Sequence, residues 1–174
     1  MYRFRRCQSG HAHKVRLLGG GTILREAVAA AERLSAEFGV SADVYSVTSF
    51  NELRRDCESV ARYNRFHAKA KKSWVTKQLQ GDASPIVAAT DYMKLYAEQI
   101  RQDIDAPYTV LGTDGFGRSD SRAALRRYFE VDADMIIYTA LRALVNQGEW
   151  TQEQLTAAKK TLTVDTRRID PDKG

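Results

Sequence analysis

The sequence predicts a three-layer α/β domain, in which a mostly parallel sheet carries helices on both faces. Short apolar runs typical of strands alternate with amphipathic segments of roughly 10 to 16 residues that are typical of helices. One run, Ile86–Ala89, is continuously apolar, as a parallel strand buried on both faces is. Because parallel strands need crossover connections between them, this alternation predicts four strands between two helical layers.

The first half of the chain contains two predicted strand–helix units. Residues 14–18 (KVRLL) form the first strand, and a triple glycine and Thr22, a predicted helix cap, follow it. Apolar residues then recur at helical spacing until Gly39, which is predicted to end the helix. Residues 44–47 (VYSV) form the second strand, and Ser49 begins the next helix with a predicted capping box.

The middle of the chain contains the other two strands. Residues 67–84 carry a lysine cluster, show no clear period, and are predicted to form a loop with a short helix or an edge strand. Ile86–Ala89 is the third strand, followed by Asp91 as the cap of a helix that carries Leu95, Tyr96, Gln99 and Ile100. Tyr108–Leu111 is the fourth strand.

Three helical segments close the chain, at roughly 120–129, 133–147 and 151–162. Asp132 and Thr151 stand where side-chain caps are expected. A glycine after the second segment provides a stop for that helix. These helices are predicted to complete the layers that cover the sheet.

Composition places the chain among ordinary globular domains. Its 174 residues are 43% hydrophobic and 28% charged, and the net charge is +5. Residues 1–16 hold five Arg or Lys and no acid, so the remainder of the chain is balanced. This distribution predicts a basic linker arm over residues 1–13, extended or unstructured without a partner, and an α/β domain over 14–174. It favours a linker or docking segment over nucleic-acid binding.

The absence of long apolar runs, the character of the N-terminus and the cysteine content predict a cytoplasmic protein without a membrane partner. No apolar run approaches the roughly 18 residues that a membrane-spanning helix needs, and the basic N-terminus lacks the apolar core of a signal peptide. Two cysteines fit a reducing compartment and form no disulfide framework.

The strand–helix turns are expected to meet at the carboxyl edge of the sheet, where open α/β folds bind ligands. The triple glycine there does not match a dinucleotide fingerprint, because Leu24 occupies the position of its third glycine. His11 and His13 lack further metal ligands nearby, and Cys57 falls on an apolar helical stripe. The sequence therefore assigns no catalytic, cofactor-binding or metal-ligating residue to this chain.

The glycine-rich loop 112–120 is the most unusual feature of this edge, and the strand before it is expected at the centre of the sheet. Either the loop is a plain turn with a buried phenylalanine, or it presents Phe116 to a partner surface. Aromatic residues and arginine anchor protein interfaces, so the second alternative makes the loop a candidate interface. The candidate interface residues are Asp114, Phe116, Arg118 and Asp120.

Four motifs in register resemble the C-terminal domain of the homodimeric, bacterial-type, thiamine-diphosphate-dependent pyruvate dehydrogenase first component, a transketolase-type domain. They are VRLLGGGTILREAVAAAERL, ADVYSVTSFNELRRD, ATDYMKLYAEQIR and VLGTDGFGRSDSRAALRRYFEVDA, and a closing IDPDK also matches. The resemblance implies a fifth, antiparallel strand in a region without a clear pattern. It also implies that the full-length enzyme decarboxylates pyruvate and passes the acetyl unit to a lipoyl group on the dihydrolipoyl acetyltransferase core.

The resemblance implies that thiamine diphosphate and magnesium bind to the preceding domains of a homodimer and not to this chain. The family's Gly-Asp-Gly motif with a downstream Asn-Asn is absent, and the nearest approach is Thr113-Asp114-Gly115. Two functions stay open. The chain is a domain that supports catalytic domains elsewhere in the same enzyme, or it is an independent α/β module that binds a small anionic regulator at the carboxyl edge.

We predict that the isolated chain binds no thiamine diphosphate and does not decarboxylate pyruvate, because the diphosphate motif and the middle domain with its activating glutamate are missing. Calorimetric titration with the cofactor and magnesium checks the binding. A dissociation constant in the micromolar range would contradict the prediction.

Overall fold

A five-stranded sheet forms the middle layer in the computed structural model, which describes residues 1–7, 10–165, 167 and 169–173. The strands are β1 (Tyr2–Arg5), β2 (His13–Gly20), β3 (Val40–Val47), β4 (Ile86–Ala89) and β5 (Tyr108–Leu111). Their order across the sheet is β1-β3-β2-β4-β5. β2 to β5 are parallel and β1 is antiparallel to β3, which confirms the predicted mostly parallel sheet.

Helices cover both faces of this sheet. The described residues form α1 (Leu24–Phe38), α2 (Phe50–Phe66), α3 (Trp74–Leu79), α4 (Lys94–Glu98), α5 (Arg122–Tyr128), α6 (Ala133–Asn146) and α7 (Gln152–Lys159). Apolar residues of α1, α6 and α7 share one buried cluster with the sheet, and those of α2, α3 and α4 share another. Successive strand residues alternate between the two clusters, so Leu17 belongs to the first and Leu18 to the second. The three-layer prediction is therefore confirmed.

The fifth strand lies in the N-terminal segment that the sequence assigned to a basic linker arm. β1 pairs with the outer edge of β3, with Tyr2 opposite Ser46 and Arg3 opposite Tyr45. The strand sequence YRFR alternates aromatic and charged residues, and its aromatic side chains are about half exposed. It therefore lacks the apolar run by which a buried strand is identified in the sequence. The irregular region 67–84 contains the short helix α3 and no strand.

The structure confirms three of the predicted caps and corrects two. Ser49, Asp132 and Thr151 accept hydrogen bonds from the first turns of their helices. Thr22 and Asp91 are not the N-caps of α1 and α4, because α1 begins at Leu24, after a 3-10 turn, and α4 begins at Lys94. Their side chains contact each other instead, as described below.

Two further features of this half of the chain differ from the sequence interpretation. The helix predicted after Asp91 is shorter than expected: α4 ends at Glu98, so Ile100 lies beyond it and is buried, and Leu95 within it is exposed. β5 lies at the edge of the sheet and not at its centre, since it pairs only with β4.

A buried arginine organises the amino edge of the sheet. Arg16, in the central strand β2, is 1% exposed, and its guanidinium donates to the carbonyl oxygens of Leu79, Asp82 and Ser84, each at 2.7 Å. Burial favours the neutral form of the Asp82 carboxyl, but hydrogen bonds from Lys14 and Ser84 outweigh burial and lower its pKa to about 2. The connection from α3 to β4 is thus held by charge-assisted hydrogen bonds to β2.

We expect Arg16→Met to lower the free energy of unfolding by about 2 to 4 kcal/mol, because it leaves three carbonyl oxygens without their donor. Urea denaturation measures this change. The matched control is Arg25→Met on the exposed surface of α1, which should change stability by less than about 0.5 kcal/mol. Equal stabilities of the two variants would contradict the role assigned to Arg16.

Candidate functional site

The carboxyl ends of β2 to β5 meet at one edge of the sheet, and a cavity of about 600 Å³ opens there. The turn after β2 and the long loop after β5 form much of its wall. The polar side chains that line it include Thr22, Asp91, Arg118, Asp120, Arg122 and Arg126.

The turn after β2 is shaped by a glycine and an aspartate. Gly21 has a φ of +56°, and a Cβ at this position would stand 2.5 Å from an Asp91 carboxylate oxygen. The Thr22 hydroxyl donates to the same carboxylate at 3.1 Å. Because Gly21 lacks a side chain, Asp91 can reach across and join the first turn to the loop after β4.

The loops after β4 and β5 are joined by a second set of hydrogen bonds. The backbone N–H of Thr113 donates to the Tyr92 carbonyl at 2.9 Å, and its hydroxyl donates to the Asp91 carbonyl at 2.8 Å. The Lys94 N–H donates to the Asp114 carboxylate at 2.9 Å, and the Lys94 ammonium lies 3.4 Å from its other oxygen. These contacts make the two loops one connected surface.

The four predicted interface residues occupy this surface in different ways. Asp114 is half-buried and engaged by Lys94 within the chain. Phe116 is 81% exposed, which decides against the alternative of a buried phenylalanine. The Arg118 guanidinium lies over the Tyr128 ring, 4.8 Å from its centroid. Asp120 accepts a 2.6 Å hydrogen bond from the N–H of the next residue.

Three apolar residues of this edge were missed by the sequence interpretation. Tyr92 is 62% exposed, Met93 48% and Leu95 66%. They precede or begin α4, on the loop that is hydrogen-bonded to the loop of Phe116. The available signal was a pair of large apolar residues, Tyr92 and Met93, placed directly after a turn aspartate, where a solvent-facing loop would carry polar groups.

The C-terminal segment also contacts the loop. Gly115 has a φ of +94°, and a Cβ there would stand 2.3 Å from the carbonyl oxygen of Pro171. The short 3-10 turn Pro171–Lys173 therefore lies against the backbone just before Phe116. The closing motif IDPDK helps to position the loop.

Charges in the cavity are largely balanced by groups of the same chain. Arg126 donates to Glu26 at 2.7 Å, and Glu26 also accepts from the Ala133 N–H at 3.0 Å. The carboxylates of Asp91 and Asp120 share the wall with the arginines. The cavity thus presents both signs of charge and not the cationic lining that an anion requires.

The residues present do not fit magnesium or a diphosphate. In the sequence Thr113-Asp114-Gly115, the carboxylate is already bound by Lys94. Among the described residues, no three His, Cys, Asp or Glu side chains are grouped so that they could hold a metal ion.

The cysteine and histidine side chains considered as reactive or metal-binding groups have the surroundings of ordinary structural residues. Burial raises the pKa of Cys57 to about 12, so its thiol is protonated and unreactive at neutral pH. The His11 ring lies 3.1 Å from the Ser35 hydroxyl, and the His67 ring stacks on Tyr63. In the part of the chain that the structure describes, no helix is both long and apolar enough to cross a bilayer.

Fold and edge together define a mostly parallel, three-layer α/β domain with a cavity at the carboxyl edge of its sheet. The chain belongs to the family of transketolase-like C-terminal domains, whose model, "Transketolase-like TK C-terminal domain", matches residues 1–132. Two solved structures share the fold at low sequence identity. They are "Split gene transketolase, inactive beta4 tetramer" (TM-score 0.51, 20% identity, 80% of this chain and 40% of that one) and "Transketolase from Leishmania mexicana" (0.50, 19%, 78% and 17%).

Sequence relatives are much more similar. The "Pyruvate dehydrogenase E1 component" of Pseudomonas aeruginosa is 49% identical over 174 residues, and the protein of the same name from Escherichia coli K12 is 47% identical over 164 residues. These alignments cover 98% and 93% of this chain, but only 20% and 18% of the relatives. The chain spans about one fifth of the length of the curated relatives it matches.

Proposed function

We propose that this chain is the C-terminal domain of a pyruvate dehydrogenase E1 component and that it supports catalytic domains of the same enzyme. The observation that carries the proposal is 49% identity to such a protein along 98% of the chain. The full-length enzyme oxidatively decarboxylates pyruvate with thiamine diphosphate and magnesium held by its other domains. It transfers the acetyl unit to lipoyl groups of a dihydrolipoyl acetyltransferase core, as a cytoplasmic homodimer within a multienzyme complex.

The chain's own contribution is a surface and not a reacting group. The joined loops at the carboxyl edge carry Tyr92, Met93, Leu95 and Phe116 into solvent on a hydrogen-bonded backbone. Large apolar side chains on an ordered surface are typical of a face that another domain or subunit covers. We therefore assign loop 114–120, which includes the exposed residues Phe116 and Arg118, to contact with a neighbouring catalytic domain or subunit.

The alternative of an independent module that binds an anionic regulator receives no support. The relatives described above are E1 components of pyruvate dehydrogenase, and the cavity at the predicted edge is lined by both arginines and carboxylates. Arg126, one of the arginines that line the cavity, is paired with Glu26.

A domain exchange tests the proposed function. In the Pseudomonas aeruginosa E1 component, the matching C-terminal segment is replaced by this chain, and we expect pyruvate-dependent acetylation of lipoyl groups to be retained. The matched control carries the C-terminal domain of the Leishmania mexicana transketolase, which has the same fold at 19% identity to this chain, and should lose activity. If both exchanged enzymes are folded and equally inactive, the proposal is wrong.

The interface assignment makes a separate prediction for Phe116→Ala. In the exchanged enzyme this change should weaken association between domains or subunits by roughly 1–3 kcal/mol, as loss of an interface anchor does. It should leave the stability of the isolated domain nearly unchanged, because the side chain is 81% exposed. Sedimentation of the enzyme and thermal melts of the isolated domain measure the two effects.

Two control variants accompany the Phe116→Ala measurement. Phe66→Ala removes an aromatic ring at the end of α2 that is 73% exposed, and it should leave subunit association unchanged. Phe129→Ala removes a ring packed against the core and should lower the melting temperature. A Phe116→Ala domain that melts early, in an enzyme that stays dimeric, would show that Phe116 is only a structural residue.

A further inference from the structure

The end of α2 and its connection to α3 form a cationic surface that the proposed function does not use. Residues 59–81 contain no Asp or Glu. We call the exposed cations of this segment the basic surface. They are Arg62, Arg65, Lys69, Lys71, Lys72 and Lys77.

Among the described residues, these cations have no carboxylate partner of the kind that several cations elsewhere in the domain have. Arg33 pairs with Glu37 and Asp134, and Arg126 pairs with Glu26. Within the described ranges, no Asp or Glu oxygen lies within 4.0 Å of any charged nitrogen of the basic surface. Like charges held together without counter-charges repel, and an anionic partner would relieve that repulsion.

The basic surface is held in a defined shape. The Asn64 amide donates to the Lys71 carbonyl at 2.9 Å and accepts from the Lys71 N–H at 2.8 Å. The Tyr63 ring is stacked on His67 with centroids 3.8 Å apart, and the Lys71 ammonium lies 3.7 Å from the Tyr63 centroid. A surface ordered in advance loses little conformational entropy when a partner binds.

α2 continues past the core of the domain. Its buried side chains end at Cys57, two turns before the helix ends at Phe66. Phe66 itself is 73% exposed, and the Arg62 guanidinium lies 5.8 Å from its ring centroid. An aromatic ring beside an arginine is the combination that anchors interfaces, so this helix end has the composition of a binding surface.

The basic surface lies far from the loop assigned to domain contact. α2 starts at the carboxyl end of β3 and leads, through α3, to the amino end of the parallel strand β4. Its C-terminal end is therefore at the amino edge of the sheet, opposite loop 114–120. The two surfaces can be occupied at the same time.

We propose that the basic surface docks an acidic segment of a partner protein, in which carboxylates contact the lysines and arginines and one apolar side chain contacts Phe66. Charge complementarity carries the choice of an acidic protein segment, and the exposed Phe66 ring beside Arg62 is available for its apolar contact. The Tyr63 ring offers no stacking platform, because its faces are occupied by His67 and Lys71. Stacking of a base on Phe66 is the competing outcome, and the oligonucleotide comparison below tests it.

The test measures fluorescence anisotropy of a labelled peptide of glutamates surrounding one leucine, titrated with the full chain. The triple variant R65Q/K69Q/K77Q removes three charges whose side chains make no hydrogen bond or ion pair among the described residues. We expect it to weaken binding by at least roughly tenfold, a loss of about 1.4 kcal/mol. The matched control R25Q/K160Q/K173Q removes three exposed charges elsewhere and should bind as the unmodified chain does.

A second comparison tests the apolar contact. Phe66→Ala should weaken binding of the leucine peptide and leave binding of an all-glutamate peptide unchanged. Equal losses in the two triple variants, or no binding of the acidic peptide to the unmodified chain, would overturn the proposal. It would also be overturned if a single-stranded oligonucleotide of equal charge bound more tightly through the same three residues, which would assign the surface to nucleic acid.

Discussion

The amino half of the fold depends on the hydrogen bonds that the buried Arg16 guanidinium donates to backbone carbonyls. A cation inside the central strand is tolerated only when its donors are satisfied, and the carbonyls of Leu79, Asp82 and Ser84 satisfy them. Those carbonyls belong to the chain that leads from α3 into β4. The same interaction therefore fixes the position of β4, of the turn before it and, through α3, of the connection that follows α2.

The two edges of the sheet carry different chemistry for a structural reason. At the carboxyl edge, polar backbone groups and short side chains such as Asp91, Thr113 and Asp114 bond the loops to one another, which leaves the large apolar side chains outside. At the amino edge, α2 extends beyond the core, and its last turns carry cations that have no carboxylate partner within the described part of the chain. A domain with an apolar face at one edge and a cationic face at the other can be built into a larger enzyme and still present a surface outward.

The sequence predicted the layers and most helix starts because these features are local. The alternating strand residues Leu17 and Leu18, and caps such as Asp132, are set by neighbours within a few positions. Thr22 and Asp91 also have the composition of caps. They fail because each is the other's partner across 69 positions, a contact that no local pattern contains.

The sequence by itself determined the fold class, the family and the candidate loop, because apolar periodicity and the order of motifs are properties of neighbouring residues in the chain. Only the tertiary structure decided that Tyr2–Arg5 completes the sheet and that Phe116 and Leu95 face outward. It also decided that the cations of residues 62–77 have no counter-charges among the residues that the structure describes. The physical reason is that edge pairing, exposure and ion pairing depend on which distant residues the fold brings together. Local periodicity carries no information about those distances.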